Sequence, residues 1–117
     1  MKIDVEGFEL NVLEGAEKTI DKFRPVVFYE SLTVADWGHC YDFLKTKNYK
    51  QYWFTCKVKP LAETFKKTDE NPFGNSGVSN ILAIPAEQEQ VDFLVPVIEG
   101  EHYNVTIDRL LKYKIVF

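Results

Sequence analysis

Cysteine and histidine are scarce: Cys40 and Cys56, His39 and His102 are all the chain has in 117 residues. No Cys-x-x-Cys pair occurs and only His39 stands near a cysteine, which argues against a structural zinc site. So few cysteines cannot form a disulfide framework, and reduced core thiols in a cytoplasmic protein are the expectation. Long apolar runs are also missing. The longest, 93–98, is interrupted by Pro96 and falls far short of the roughly 20 residues that span a bilayer, so no membrane is expected as partner. Charges at Lys2, Asp4 and Glu6 argue against a secretory h-region at the start. Asn104-Val105-Thr106 matches a glycosylation sequon, with nothing else to suggest secretion.

Positive charge is in deficit as well. A net charge of -4 speaks against nucleic acid as a partner, since phosphate binding wants a basic surface. Lys57, Lys59, Lys66 and Lys67 cluster, but Glu63, Asp69 and Glu70 sit among them, and a solvated face is the reading. There is no Gly-x-Ser-x-Gly elbow. Gly74-Asn75-Ser76-Gly77 lacks the lysine of a phosphate loop and reads as turn chemistry.

What is present is enough for one domain with a real core: 45% of residues are hydrophobic and 15% aromatic. Residues 1–5 read as a short strand with Met1, Ile3 and Val5 on one face, and Gly7 permits a sharp turn. Phe8, Val12, Ala16 and Ile20 recur every four residues, with Leu13 beside them, which predicts a helix. Lys22 and Arg24 bring positive charge to its end and Pro25 stops it. Residues 25–30 follow as an apolar strand of the kind buried on both faces between helices. Strand, helix and strand make a parallel βαβ unit. A second helix is expected from an Asp36 cap to about Asn48, with Trp37, Cys40, Tyr41 and Leu44 on one side. A strand over 49–58, a polar loop over 59–77 and a strand over 79–84 ended by Pro85 should form an antiparallel pair. In the tail, 91–94 reads as the close of a short helix and 107–113 as another.

In open α/β sheets ligands sit outside the carboxyl ends of the strands. Asp4, Glu6 and Glu30 fall there. Glu6 reads either as a helix cap or as a site group. Asp4 is too far for capping, and an acid at a strand's buried end is costly unless it has a task. Glu9 reads as a structural carboxylate of the first helical turn. His39 has the chemistry of a general base but no nucleophile motif beside it, and reads as a polar helix residue. His102 gives no signal.

Lys2-Ile3-Asp4-Val5-Glu6-Gly7-Phe8-Glu9, followed by Val12-Leu13-Glu14-Gly15-Ala16, resembles the signature of FkbM-type methyltransferases. Arg24-Pro25, the strand ending in Glu30, and Asn80-Ile81-Leu82-Ala83-Ile84-Pro85 agree with that family, so that the resemblance spans about 1–85 and leaves 86–117 as an extension of unassigned role. Asn48-Tyr49 stands where the family usually has a glycine before an aromatic. The resemblance implies a partial Rossmann-like class I α/β fold with parallel strands, a terminal antiparallel hairpin and the first strands missing. It implies S-adenosylmethionine as cofactor and a hydroxyl of a sugar, glycan or small metabolite as methyl acceptor, with no metal. Asp4 would then lie beside the sulfonium and the substrate, with Glu6 and Glu30 on the substrate side. The glycine-rich turn that holds the cofactor would lie upstream of Met1, so the isolated chain is expected to be inactive and to bind the cofactor poorly. Association with an upstream half, or through an exposed sheet edge, is the expected partnership. Two alternatives stand beside this one. The first is a non-catalytic interaction module derived from the same fold. The second takes Asp4-Val5-Glu6 as the Asp-x-Asp-like motif of a metal-dependent glycosyltransferase.

Overall fold

The computed structural model describes residues 1–30, 34–57 and 77–99, with the side chains of 34–37, 55–57 and 77–79 left aside. Strand β1 (Lys2–Ile3) leads through helices α1 (Glu9–Gly15) and α2 (Glu17–Phe23) to β2 (Val27–Glu30). Helix α3 (Val34–Thr46), β3 (Tyr49–Lys57), β4 (Gly77–Pro85) and β5 (Val95–Pro96) follow. The strands form one mixed sheet in the order β1-β2-β4-β3-β5, with β1 parallel to β2 and every other pair antiparallel. The fold is therefore α/β. The expected βαβ unit and the antiparallel pair of β3 with β4 are both present. Their arrangement is less obvious: α3 carries the chain one strand too far, and β4 returns to fill the gap between β2 and β3.

Side-chain alternation gives the sheet two unlike faces. On one, Val27, Tyr29, Trp53, Ile81 and Ala83 are packed with Leu13 of α1, Ile20 of α2 and Cys40 and Leu44 of α3. On the other, Tyr52, Ile84 and Leu94 form a smaller cluster edged by Phe54, Leu82 and Val91. Phe28 meets Phe54 there edge-on, with centroids 5.5 Å apart. All three helices pack on the first face. β2 is thus fully buried on one side only, contrary to the reading of its apolar run, and Phe28 and Glu30 are half-buried.

Four further expectations need correction. The stretch from Phe8 to Ile20 is two helices, because the chain turns at Ala16. That break shifts the phase, so Glu9, Leu13 and Ile20 face inward while Phe8 is 66% exposed. Asp36 lies inside α3, which starts at Val34, and is not its cap. Residues 91–94 are not a helix: the chain bends there and adds β5 to β3, pairing Tyr52 with Pro96 and Trp53 with Val95. The polar loop 59–76, the sequon at 104–106, His102 and the expected helix 107–113 lie outside the described residues, as does the side chain of Cys56. Cys40 is buried in the core, as expected of a core thiol. Among the described residues no helix is long and apolar enough to cross a membrane.

Two polar devices tie the elements together. At the end of α2, Arg24 adopts a left-handed conformation (φ 48°) that closes the helix before Pro25. Its guanidinium donates to both oxygens of Glu87, at 2.7 and 3.1 Å, and to the carbonyls of Lys47 at 2.8 Å and Asn48 at 3.4 Å. It also lies 4.6 Å from the centre of the Tyr49 ring. Asn48 has φ 59° in the α3–β3 turn. Asparagine tolerates that conformation better than most other non-glycine residues. Inside the core, the Tyr29 hydroxyl donates to Gln51 Oε1 at 2.9 Å, and Gln51 Nε2 donates to the Tyr41 carbonyl at 2.9 Å. Burial holds the Tyr29 hydroxyl protonated, its pKa well above the ordinary value. Tyr29→Phe should leave the Gln51 oxygen buried without its donor and cost about 1–2 kcal/mol. Urea unfolding would register this as a lower midpoint with an unchanged slope.

Candidate active site at the carboxyl ends of two parallel strands

The parallel register pairs Lys2 with Phe28 and Ile3 with Tyr29. The next step of the ladder brings Asp4 opposite Glu30, and strand alternation turns both away from the helix-covered face. Between Asp4 and α1 the chain reverses. Phe8 N–H donates to the Val5 carbonyl at 3.3 Å, and the two residues between have positive φ, 55° at Glu6 and 97° at Gly7. Two successive positive φ values with that closing bond are the mark of a type I′ turn. The turn folds Glu6 back over the strand ends. One carboxylate oxygen from each of Asp4, Glu6 and Glu30 lies within 4.8 Å of the other two.

The three acids are not equivalent. Asp4 is exposed, and Lys2 Nζ donates to its Oδ2 at 2.7 Å. That hydrogen bond, then the lysine charge, holds the Asp4 carboxyl below its ordinary value. Glu30 is shifted the other way. Partial burial raises it first, then the charges of Asp4 and Glu6, then a hydrogen bond with Asp4, and last the charge of Glu9. The trio thus contains one carboxylate kept ionised and one made more basic, the separation that acid–base chemistry uses. Surface acids also cluster without any ion between them, and Lys2 already supplies the positive charge beside Asp4.

Asp4, Glu6 and Glu30 are therefore together, but two reasons given for them need correction. Asp4 is not a buried strand-end acid. Nor does Glu6 cap α1, whose N-cap is Phe8 and has no side-chain capping bond. The buried acid is Glu9, 2% exposed. Its Oε1 accepts the N–H groups of Val5 and Gly7, each at 3.3 Å. Sequence reasoning placed Glu9 in the first turn but missed this backward reach. No local signal announces it, because the reach depends on the left-handed conformation of Glu6. His39 lies exposed on α3.

Concavity points elsewhere. Two clefts of about 480 and 400 Å³ flank β5, both touching Tyr52 and Pro96. They lie at the opposite edge of the sheet from β1, and no carboxylate of the trio lines either. Their shallow walls are the seam where a two-residue strand meets β3, whereas the carboxyl ends of parallel strands are where such sheets bind ligands.

The model of the methyltransferase FkbM domain matches residues 1–51. The match takes in β1, α1, α2, β2, α3 and the start of β3, and with them all three clustered acids. It ends at Gln51, so the family resemblance drawn from 80–85 receives no support from it. No curated protein and no solved structure matches the chain.

Proposed function

We propose that this chain provides the acceptor side of a methyl-transfer site, at which the hydroxyl of a sugar or small metabolite is methylated with S-adenosylmethionine as donor. The observation that carries this reading is the convergence of Asp4, Glu6 and Glu30 inside the stretch that matches the methyltransferase domain. Glu30 is the proton acceptor, since burial and the neighbouring acids make it more basic than an ordinary glutamate. Asp4, kept ionised by Lys2, and Glu6 orient the hydroxyl by accepting hydrogen bonds from it and its neighbours. The cofactor, when bound, supplies a methyl group already activated on a sulfonium.

The trio's negative charge suits a cationic neighbour such as the sulfonium of the donor. The donor's pocket is assigned to polypeptide beside β1, which is an edge strand among the described residues. Titration calorimetry of the chain with S-adenosylmethionine should show only weak binding. Micromolar affinity would overturn that assignment. Label from tritiated S-adenosylmethionine should appear as a methyl ether on a hydroxyl acceptor once the chain is joined to a cofactor-binding half. Its absence across sugar and metabolite panels would sink the reading.

A second reading, an interaction module, is favoured by one feature. The described part of β1 has a free edge, and Met1, Val5, Phe8 and Val12 around it are each at least 36% exposed. An open edge among apolar side chains favours association. Dimers of the isolated chain that persist when the cofactor-binding half is present would support the module over the enzyme.

A further inference from the structure

We infer that Glu9 is a positioning residue: its buried carboxylate locks the Val5–Phe8 turn and thereby aims Glu6 at Asp4 and Glu30. The inference rests on the methyl-transfer reading for its purpose but not for its geometry. Glu6 is in a left-handed conformation, which costs a residue with a Cβ roughly 1–2 kcal/mol. Such strain persists only where the surroundings over-determine it, and it gathers at functional sites. Space is not what selects glycine at the next position, because a Cβ on Gly7 would meet nothing within 4 Å. The turn is shaped by its backbone bonds.

Glu9 supplies them from below. A carboxylate this deeply buried is costly unless it is hydrogen-bonded. One oxygen, Oε1, takes the N–H of Val5 and the N–H of Gly7, the residues on either side of Glu6. With both flanking amides held by one acceptor, the intervening peptide units cannot rotate without breaking a charge-assisted contact. The Glu6 side chain is then carried over the ends of β1 and β2, where its oxygen comes within 4.8 Å of those of Asp4 and Glu30. A capping-box acid reaches back only as far as the N-cap residue, which here is Phe8. Glu9 reaches beyond it to Gly7 and Val5, and the part of the chain it organises is the part that bears the acids.

The test compares Glu9→Gln with Glu9→Ala. Glutamine keeps an acceptor oxygen in place, whereas alanine removes it. Hydrogen exchange should show the Val5 and Gly7 amides slowed in the wild type and in Glu9→Gln, and accelerated at least tenfold in Glu9→Ala. Carbon-detected NMR titration of the Glu30 carboxyl should give nearly the same midpoint in the wild type and Glu9→Gln. In Glu9→Ala, once Glu6 swings away, that midpoint should fall toward an ordinary glutamate. The groups facing Glu30 in this comparison are Asp4, Glu6 and Glu9, with Lys2 on Asp4. Unchanged exchange and an unchanged Glu30 midpoint in Glu9→Ala would overturn the inference. So would a Glu9→Gln variant that behaves like Glu9→Ala while its β2–β4–β3 amide spectrum stays native. Neither measurement depends on turnover, so a failure to find methyl transfer would remove the functional reading and leave the positioning role standing.

Discussion

Arg24→Ala is expected to lower the unfolding free energy by about 2–4 kcal/mol, a large loss for a residue at the edge of the core. The size follows from what the guanidinium joins. It spans the end of α2, the α3–β3 turn and the segment after β4 by donating to Lys47, Asn48 and Glu87. Gln88 Nε2 also donates to the Arg24 carbonyl at 2.8 Å, and Ala86 N–H to that of Asn48 at 3.0 Å. Truncation would leave the part-buried Lys47 carbonyl without its donor and uncover the Tyr49 ring. For a domain of this size the melting temperature should drop by roughly 10 °C or more. Lysine would not restore it, because a single ammonium cannot hold a carboxylate and a carbonyl in one plane. The clasp also sets an acid limit. The Arg24 hydrogen bond, followed by a backbone hydrogen bond, lowers the Glu87 carboxyl from 4.5 to about 2. Its contribution is therefore complete above pH 4.5 and is lost as the pH falls toward 2. In Arg24→Ala the stability curve should be flatter across that window, which urea titrations at stepped pH would show.

The punctuation of the first half was readable in the residues themselves. Gly7 and Pro25 bracket the helical stretch, which is α1 and α2 rather than the one helix expected, and β2 follows Pro25 as expected. The choice of buried face was not readable, because it depends on a local break. A continuous helix would bury Phe8, Val12 and Ile20 together, whereas the turn at Ala16 rotates α1 so that Leu13 and Glu9 go inside. The place of β4 was hidden for a different reason. Its two sets of partners, 27–30 on one side and 49–57 on the other, are distant in sequence, and pairing of that kind leaves no local pattern. At the candidate site the types of residue were legible but their environments were not. Asp4 and Glu30 could be placed at one edge from strand order alone. That Asp4 is solvated and neutralised by Lys2, while Glu9 is buried beneath the turn, depends on a left-handed residue at Glu6 that no propensity favours.

Glu30→Gln should separate stability from activity. In the fold, burial and the neighbouring acids raise the Glu30 carboxyl above 4.5, so the folded state favours its protonated form. The sign follows from linkage: stability is highest at low pH and declines as the pH rises from 4.5 through the folded value, above which the ionised group remains a constant penalty. Glutamine cannot ionise, so the variant should lose this decline and be the more stable protein at pH 8. The gain should be modest, from a few tenths to about 1 kcal/mol, since solvent screens a cluster that faces outward. The effect on chemistry should be far larger. If Glu30 receives the hydroxyl proton, its loss should slow methyl transfer by about 10²–10⁴ in the assembled enzyme. The wild-type rate should rise with pH through a midpoint above that of an ordinary glutamate, and Glu6→Gln should move that midpoint down by removing one of the charges that raise it. A Glu30→Gln protein that is less stable at pH 8 would refute the repulsion between these carboxylates. One that is more stable but equally active would leave the cluster as a strained acidic turn and give the proton to some other base.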